Sequence, residues 1–535
     1  MRNDKLFGGV PLTSPLPRDF GEGEIRAIRS DSRRACPGCL FVCLKGTRRD
    51  GHDAAAEALA AGAAYILGER PVPGVPEEKM LLTPDTRLAE SLLWNNFTGR
   101  PADGMLKIAV TGTAGKTTVT LLLSEILRAA GRKTGVVTTV RCEAGGVPVD
   151  LGDNGGSSVS DIPGAMTTPD PEYFFTAARA MRDAGCGAFL YEASSQSLAL
   201  KKTAAVVPDI AVFTNLSPEH LDFHRTMEDY FHAKASLMKG VPRAVINGDD
   251  RWLARLPSMF PETDTILCSA GDERSAGMRR TAGKRRGDVT ARRIRSLGPE
   301  GMEYLFFSGR AAFRVRTPMP GRYSVYNTML ASAAALLTGA DPAVVRDAVA
   351  GFRGADGRLI RVRVRDGAEK PAVFIDYAHT PDAMEAVLTA VREFSPGRLT
   401  VVFGCGGDRD RSKRPLMAQI AERLADETVV TSDNPRSEDP DAIFRDILSG
   451  FRGSGPCAVI PDRARAIRYA VGSAPRDGTV LLLGKGHEKY EITADGREPF
   501  DEEAVAAEAL ERYGSSSRET SGGQEEDREN HPDGI

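Results

Sequence analysis

Eight times along the chain a short apolar run stops at a cluster of small and polar residues. LKIAV meets TGTAGKTT (106–118), FL meets YEASS (189–195), IAVF meets TNLSPEH (210–220) and AVI meets NGDD (244–250). The pattern returns as VFI before DYAHTPD (373–382), LTVVF before GCGGDRD (399–410), TVV before TSDNPR (428–436) and TVLLL before GKGHE (479–488). Short β-prone runs without alternation are strands buried on both faces, the condition of parallel sheets. Helical periodicity lies between several of them. Val119, Leu122, Leu123, Ile126, Leu127 and Ala130 share one face at i, i+3, i+4, i+7, i+8, i+11 spacing. Strands alternating with helices predict an α/β doubly wound fold, which takes its ligands at the carboxyl ends of the strands. Every polar cluster sits at such an end.

The clusters form two groups, 106–250 and 373–488, so two sheets are expected. Residues 1–100 carry a strand (CLFVCL, 39–44) and a helix (AAAEALAAGA, 54–63) of their own. Residues 269–317 read as hairpins, 324–338 as a helix, and Pro342 opens a further segment. The boundaries this predicts are 1–103, 104–340 and 341–512, with a disordered tail over 513–535. The length of 535 residues suits three domains at roughly 150 residues each.

Composition excludes other classes. No apolar run approaches the roughly 18 residues of a membrane span, and the N-terminus lacks a signal-peptide core. A cytoplasmic protein without membrane insertion is therefore expected. The eight cysteines include one C-x-x-C pair, Cys36 and Cys39, with no second pair or histidines nearby to make a zinc site. They read as small apolar residues of a reduced compartment. The net charge of −3 argues against a nucleic-acid partner. The basic run Arg279, Arg280, Lys284, Arg285, Arg286, Arg292, Arg293, Arg295 has no aromatic interleaving and reads as a solvated hairpin face. The tail from 514 holds two basic and six acidic residues, net −4, which leaves the body at +1 and suited to anionic substrates.

GTAGKTT (112–118) follows a strand and opens a helix. In that context the N–H groups of Gly112, Thr113, Ala114, Gly115 and Lys116 cradle phosphates. Lys116 reaches the β/γ-phosphates and Thr117 ligates Mg²⁺. Val110 stands where the usual phosphate loop has its first glycine, so this is a shorter variant. Glu192 and His220 follow the next two strands and can complete a Mg²⁺ shell. A P-loop ATPase that hydrolyses ATP for motion would share these features, but has no need of two substrate-shaped clusters in the last domain.

The ordered motifs GTAGKTT, TTPDP (167–171), YEASS, FTNLSPEHLDFHRTMEDYFHAK (213–234), NGDD, DYAHTPDA, GCGGDRDRSKRP, DNPR and GKGHE resemble the Mur ligases, from the DSR at 31–33 to about residue 500. The resemblance implies three α/β domains: a small N-terminal one, a central mostly parallel P-loop sheet and a Rossmann-like C-terminal one. It implies a monomer that uses ATP and Mg²⁺ to form an amide in peptidoglycan precursor synthesis, through an acyl phosphate on UDP-MurNAc-L-Ala-D-Glu. Lys234 is then the family's carbamylated lysine, carrying CO₂ as an anionic metal ligand, and Lys116, Lys234 and His220 form the catalytic set. ATP contacts fall on 112–118, including Thr118, and on Asn327, Arg358 and His379. Nucleotide-sugar contacts fall on Ser30, Ser32, Thr47, Arg48 and Arg49, and muramoyl-peptide contacts on Thr167, Thr168, Ser194 and Lys202. Leu200 and Lys202 stand where the family often has Gln and Arg, so one side-chain hydrogen bond and one bidentate fork are lost.

The last domain chooses the incoming amino acid. DNPR (433–436) resembles the motif that recognises meso-diaminopimelate, whose distal end is a zwitterion. Arg436 and Arg409 supply cations for its carboxylate and Glu488 an anion for its ammonium. Asp433, Asn434, Pro435 and Gly484 complete the site by resemblance. L-Lysine has no distal carboxylate and would leave Arg436 unpaired, at about 1–3 kcal/mol. The alternatives are the same reaction with L-lysine or another diamino acid, or another amide ligase of the superfamily, such as a folylpolyglutamate synthetase.

Overall fold

The computed structural model describes residues 1–17, 20–46, 49–150, 167–271, 288–309, 311–364, 370–395, 397–453 and 455–513. Chain contacts divide it into two compact units. One comprises Met1–Ile294, Tyr304–Val315 and Val325–Ala350; the other comprises Arg295–Glu303, Arg316–Ser324 and the chain from Gly351. The architecture is α/β throughout, as the apolar runs predict.

The first unit begins with a parallel sheet of β1 (Ala27–Arg29), β2 (Cys39–Val42), β3 (Tyr65–Gly68) and β4 (Met80–Leu82) in sequential order. The central sheet follows, with β5 (Leu106–Thr111), β6 (Thr134–Val137), β7 (Cys142–Ala144), β8 (Val147–Pro148), β9 (Ala188–Glu192), β10 (Ile210–Phe213), β11 (Arg243–Asn247) and β12 (Asp264–Ala270). It continues through β13 (Val289–Ser296), β14 (Met302–Phe307) and β15 (Ala312–Thr317). The order is β15-β14-β13-β12-β11-β10-β5-β9-β6-β7-β8. The run from β13 to β6 is parallel, and β7 and β8 add an antiparallel edge. β5 lies at the centre, buried on both faces, which is why LKIAV does not alternate.

The helix Lys116–Ala129 buries Val119, Leu122, Leu123, Ile126 and Leu127 against this sheet. Ala130, expected on the same face, is exposed and caps the helix, because the chain turns at Gly131 with φ +83°. One apolar core runs from Leu6 and Trp94 through Phe174, Phe189 and Phe231 to Leu256, so it joins the small sheet to the central one. Ion pairs follow the same seam. Arg29 and Arg34 reach Glu172, and Lys201 reaches Asp85.

In the second unit, β16 (Ile360–Arg361), β17 (Ala372–Asp376), β18 (Leu399–Phe403), β19 (Glu427–Val430), β20 (Cys457–Val459) and β21 (Thr479–Leu483) form a sheet in the order β16-β17-β21-β18-β19-β20. Only the β16 edge is antiparallel. The expected clusters leave the carboxyl ends of four adjacent strands, β17, β21, β18 and β19. A ribbon of β22 (Tyr490–Thr493) and β23 (Gly496–Pro499) follows. Tyr513, expected in the tail, belongs to the folded unit, since its hydroxyl donates to the Ala474 carbonyl at 2.8 Å. The rest of the expected tail, and Arg279–Arg286 of the basic run, lie outside the described residues. Among the described residues no helix is long and apolar enough to cross a membrane.

Candidate active site

The phosphate loop in the first unit is shaped by two glycines. Gly112 takes φ +146°, and a Cβ there would strike the Thr214 hydroxyl. Gly115 caps the helix Lys116–Ala129 at φ +82°, and a Cβ there would lie 2.5 Å from Asn327 Oδ1. Asn327, expected among the ATP contacts, is thus brought against the loop. The expectation for the loop amides narrows. Thr113 N–H donates to the Asn215 carbonyl and Ala114 N–H to Asn215 Oδ1, both at 2.9 Å. Asn215 therefore holds the loop open while occupying two of its five expected donors. The amides of Lys116, Thr117 and Thr118 form the first turn of the helix, the part of a helix suited to anions. Lys116 Nζ folds over the loop onto the Gly112 and Thr113 carbonyls, at 3.0 and 2.8 Å.

Glu192 ends β9 beside the loop and is fully buried. Its Oε1 accepts from the Thr117 hydroxyl at 2.8 Å and from Thr139 N–H at 3.0 Å. A hydroxyl and a carboxylate in contact are an oxygen donor set that fits Mg²⁺, which takes few protein ligands and completes its shell with phosphate and water. Among the described residues no group of three or more His, Cys, Asp or Glu forms a ready metal cluster.

Lys234, on the helix Met227–Ala235, is 2% exposed. Its Nζ donates to the Gly112 carbonyl at 2.7 Å and lies 4.7 Å from the centre of the Tyr230 ring. Burial, and then the neighbouring Lys116, hold its pKa well below the usual lysine range. The Tyr230 hydroxyl reaches the Thr113 hydroxyl at 3.0 Å. His220 sits in the left-handed region at φ +56°, which turns the chain into the short helix Leu221–His224. Strain of that kind persists where the surroundings impose it. A cleft of about 140 Å³ is lined by Lys116, Thr167, Ser194, Glu219, His220 and Lys234, among others. It brings the expected catalytic set together with two of the muramoyl-peptide residues.

Thr168 is buried beneath the cleft. Its hydroxyl donates to the Glu192 carbonyl at 2.8 Å and accepts from Ser194 N–H at 3.1 Å, while Ser194 caps the helix Ser195–Ala199. Lys202 pairs with Asp170 at 2.8 Å, so its charge is kept in place of the fork. Leu200 only caps that short helix. Ser30 follows β1 and its hydroxyl bonds Glu90, a buried residue absent from the sequence reading. Burial, with Asp170 nearby, pushes the Glu90 carboxyl up to about 7. Ser30 and Lys202 therefore approach one buried carboxyl from the two sheets of this unit. Ser32 opens a turn capped by Asp31. The Arg49 carbonyl accepts from Gly46 N–H at 2.9 Å. Thr47 and Arg48 lie outside the described residues.

In the second unit Arg358 lies 5.8 Å from the Tyr377 ring centre, and the His379 ring stands 4.7 Å from the same ring. Burial lowers the His379 pKa. Tyr377 also reaches Glu488 Oε1 at 3.5 Å, so the expected nucleotide and amino-acid residues of this unit meet at one aromatic ring. Arg436 takes φ +54°, and its Nη1 donates to the Gly407 and Asn434 carbonyls at 3.0 and 3.3 Å. A Cβ on Gly406 would lie 2.8 Å from Arg436 Nη1 and 3.8 Å from Arg409 Cγ, so the Arg436 guanidinium and the stem of Arg409 flank one glycine. Arg409 is exposed. Asn434 Nδ2 donates to Glu488 Oε2 at 2.8 Å, and burial raises the Glu488 pKa. Gly484 leaves room for Asp433, whose Oδ2 would lie 2.6 Å from a Cβ there. Pro435 is buried against Gly407.

The sequence reading missed Asn215, Tyr230, Thr139 and Asp250. Asp250 Oδ2 accepts from Leu216 N–H at 2.6 Å and so fixes the loop that carries His220. The signal for Asp250 was its place in NGDD; Thr139 left none.

Models of the Mur ligase family catalytic domain, the Mur ligase middle domain and the Mur ligase glutamate ligase domain match residues 24–93, 110–335 and 357–486. The UDP-N-acetylmuramoyl-L-alanyl-D-glutamate--2,6-diaminopimelate ligase of Syntrophomonas wolfei is 38% identical over 94% of this chain and 98% of its own. The protein of the same name from Geobacillus thermodenitrificans is 39% identical over 92% of this chain and 96% of its own. A solved structure of a UDP-N-acetylmuramoyl-L-alanyl-D-glutamate--2,6-diaminopimelate ligase superposes with a TM-score of 0.65 at 29% identity, covering 96% of this chain and 99% of that one. The phosphate loop, the buried lysine beside it and the DNPR loop thus sit on a chain that belongs to the Mur ligase family.

Proposed function

We propose that this chain is an ATP-dependent ligase that joins meso-diaminopimelate to UDP-MurNAc-L-Ala-D-Glu in peptidoglycan precursor synthesis. It acts as a cytoplasmic monomer on small molecules. The observation that carries this reading is the second-unit cluster in which Arg436 and Arg409 flank Gly406 while Asn434 holds the Glu488 carboxylate. Two cations and one anion on a common set of loops match a carboxylate and an ammonium on one carbon.

A carboxylate is a poor electrophile and must be activated. Its oxygen attacks the γ-phosphorus of ATP, ADP leaves, and an acyl phosphate forms on the D-Glu side chain. The amine of diaminopimelate then attacks the acyl carbon, a proton leaves the nitrogen, and phosphate departs with the C–O bond. The chain contributes positioning and charge. The first-turn amides of the helix Lys116–Ala129 and the Lys116 ammonium meet the phosphates. Asn327 faces the nucleotide from the loop side, and Arg358 and His379 belong to its contacts in the second unit. Ser30, Ser32 and the loop at 47–49 take the nucleotide sugar, and Thr167, Thr168, Ser194 and Lys202 the muramoyl peptide. When bound, Mg²⁺ supplies neutralisation of phosphate charge, with Thr117, Glu192 and His220 as its protein donors. Lys234, with its pKa lowered by burial, is the amine that adds CO₂. An N–C bond forms to the neutral amine, one N–H proton leaves, and the resulting carbamate is an anion able to serve a second metal.

Phosphate release by the purified protein with ATP, Mg²⁺ and UDP-MurNAc-L-Ala-D-Glu tests the reading, with meso-diaminopimelate and L-lysine compared as third substrate. Release dependent on diaminopimelate is expected. Preference for lysine overturns the specificity, and no release with any amino acid overturns the ligase.

A further inference from the structure

Lys485 lies in the turn after β21, inside GKGHE, and is fully buried. A buried ammonium is costly unless its donors are used, and this one is spent on two acceptors. It donates to Asn434 Oδ1 at 3.1 Å and to the Tyr490 carbonyl at 2.9 Å. The ring of Phe500 lies 5.6 Å away on another side. Asn434 Oδ1 also accepts from Ile492 N–H at 2.9 Å. Both lone pairs of that oxygen are thus filled by donors. The amide then has one orientation: Oδ1 towards Lys485 and Nδ2 towards Glu488 Oε2, at 2.8 Å. A flipped amide would set an NH₂ group against an ammonium and an N–H, and a carbonyl oxygen against a carboxylate.

This arrangement assigns separate roles within the amino-acid site. Asn434 has no acceptor left for a substrate ammonium, which therefore falls to the carboxylates of the site, and of these Glu488 is the one that Asn434 holds. The position of that carboxylate depends on Asn434, and the orientation of Asn434 depends on Lys485. Arg436 belongs to the same assembly, because its N–H donates to the Ile492 carbonyl at 3.0 Å, on the residue whose N–H holds Asn434. We propose that Lys485 is a positioning residue for amino-acid selection: by filling the Asn434 carbonyl oxygen it locks the amide that presents Glu488 to the ammonium of the incoming diamino acid. The proposal rests on the ligase reading above.

The test is steady-state phosphate release by the full chain, with each substrate varied in turn. The parent protein is measured first, and absence of diaminopimelate-dependent release there overturns the ligase reading itself. With the parent active, Lys485→Met is expected to raise KM for diaminopimelate about tenfold or more, the scale of a lost charge-assisted hydrogen bond. KM for ATP and for the nucleotide sugar should stay within about twofold. Asn434→Ala should raise the same KM, and Lys485→Met added to Asn434→Ala should raise it little further, because Lys485 acts through Asn434. Lys485→Gln, which keeps an N–H donor, should recover part of the loss and serves where Lys485→Met does not fold. Unchanged KM for diaminopimelate in a folded Lys485 variant, equal rises for all three substrates, or full additivity with Asn434→Ala would each overturn the proposal.

Discussion

Lys234 Nζ donates to the Gly112 carbonyl across 2.7 Å, which ties a buried amine from one helix to the first glycine of the phosphate loop. An ordinary lysine ammonium here would repel Mg²⁺ and add to the charge of Lys116. The lowered pKa instead favours the free amine, the form that reacts with CO₂. Lys234→Ala is therefore expected to lower kcat by about 100-fold or more, on the scale of a lost electrostatic group in a closed site. A short carboxylic acid should restore part of the rate by entering the vacated space as an anion. Phosphate release with and without the acid checks this, and full activity of the variant would refute the carbamate.

Gly115→Ala tests the loop. The residue sits at φ +82° and its Cβ would approach Asn327 Oδ1 to 2.5 Å. Left-handed strain of about 1 kcal/mol adds to displacement of the asparagine. The expected outcome is weaker nucleotide binding by tenfold or more with a small loss of stability. Equilibrium binding of ADP measures the first and thermal unfolding the second. Unchanged ADP affinity would remove Asn327 from the nucleotide site.

A purely structural pair gives a third expectation. Arg463 and Glu502 are both buried, and the guanidinium donates to Glu502 Oε1 at 2.8 and 2.6 Å, to the Leu483 carbonyl at 2.8 Å and to the Ser432 carbonyl at 3.0 Å. It pins the strand ends that carry DNPR and GKGHE. Glu502→Ala leaves a buried cation without its partner, a loss of about 3–5 kcal/mol. Both tryptophans, Trp94 and Trp252, lie in the other unit. Denaturant titration should therefore show an early far-UV circular dichroism transition in the variant while the tryptophan fluorescence transition stays in place. Coincident shifts of both signals would contradict separate unfolding of the two units.

Much of this organisation was legible in the sequence because its causes are local. An apolar run, a turn of small residues and a helix face appear in one window, so β5, the phosphate loop and the helix after it could be read together. Lys234 stood out only through its motif, since on spacing alone it reads as a helix-surface lysine; Tyr230 lies one turn earlier on the same helix, but the other group that covers its amine, Gly112, lies in a distant part of the chain. Asn215 was hidden for a similar reason. Its side chain looks like a loop residue until β10 places it beside β5, where it takes two amides of the phosphate loop. The roles of Glu90 and Lys485 follow from burial against distant segments, which no periodicity encodes.

The last expectation concerns pH. Burial raises the Glu488 pKa above the usual carboxylate value of 4.5, partly offset by the Asn434 hydrogen bond. The folded value is the higher one, so the ionised carboxylate costs the free protein stability at neutral pH, and that cost disappears as pH falls through the raised pKa. Binding runs the other way. The substrate ammonium needs the ionised form, so affinity for diaminopimelate should weaken as pH falls through the raised value and level off above it. The bound ammonium also draws the pKa back down, so binding near the raised value releases a proton. Calorimetric titration of diaminopimelate in two buffers of different ionisation enthalpy should give unequal heats on the acidic side and equal heats at higher pH. Glu488→Gln should weaken binding and abolish the buffer dependence. Equal heats for the parent protein at every pH would show that Glu488 does not meet the ammonium.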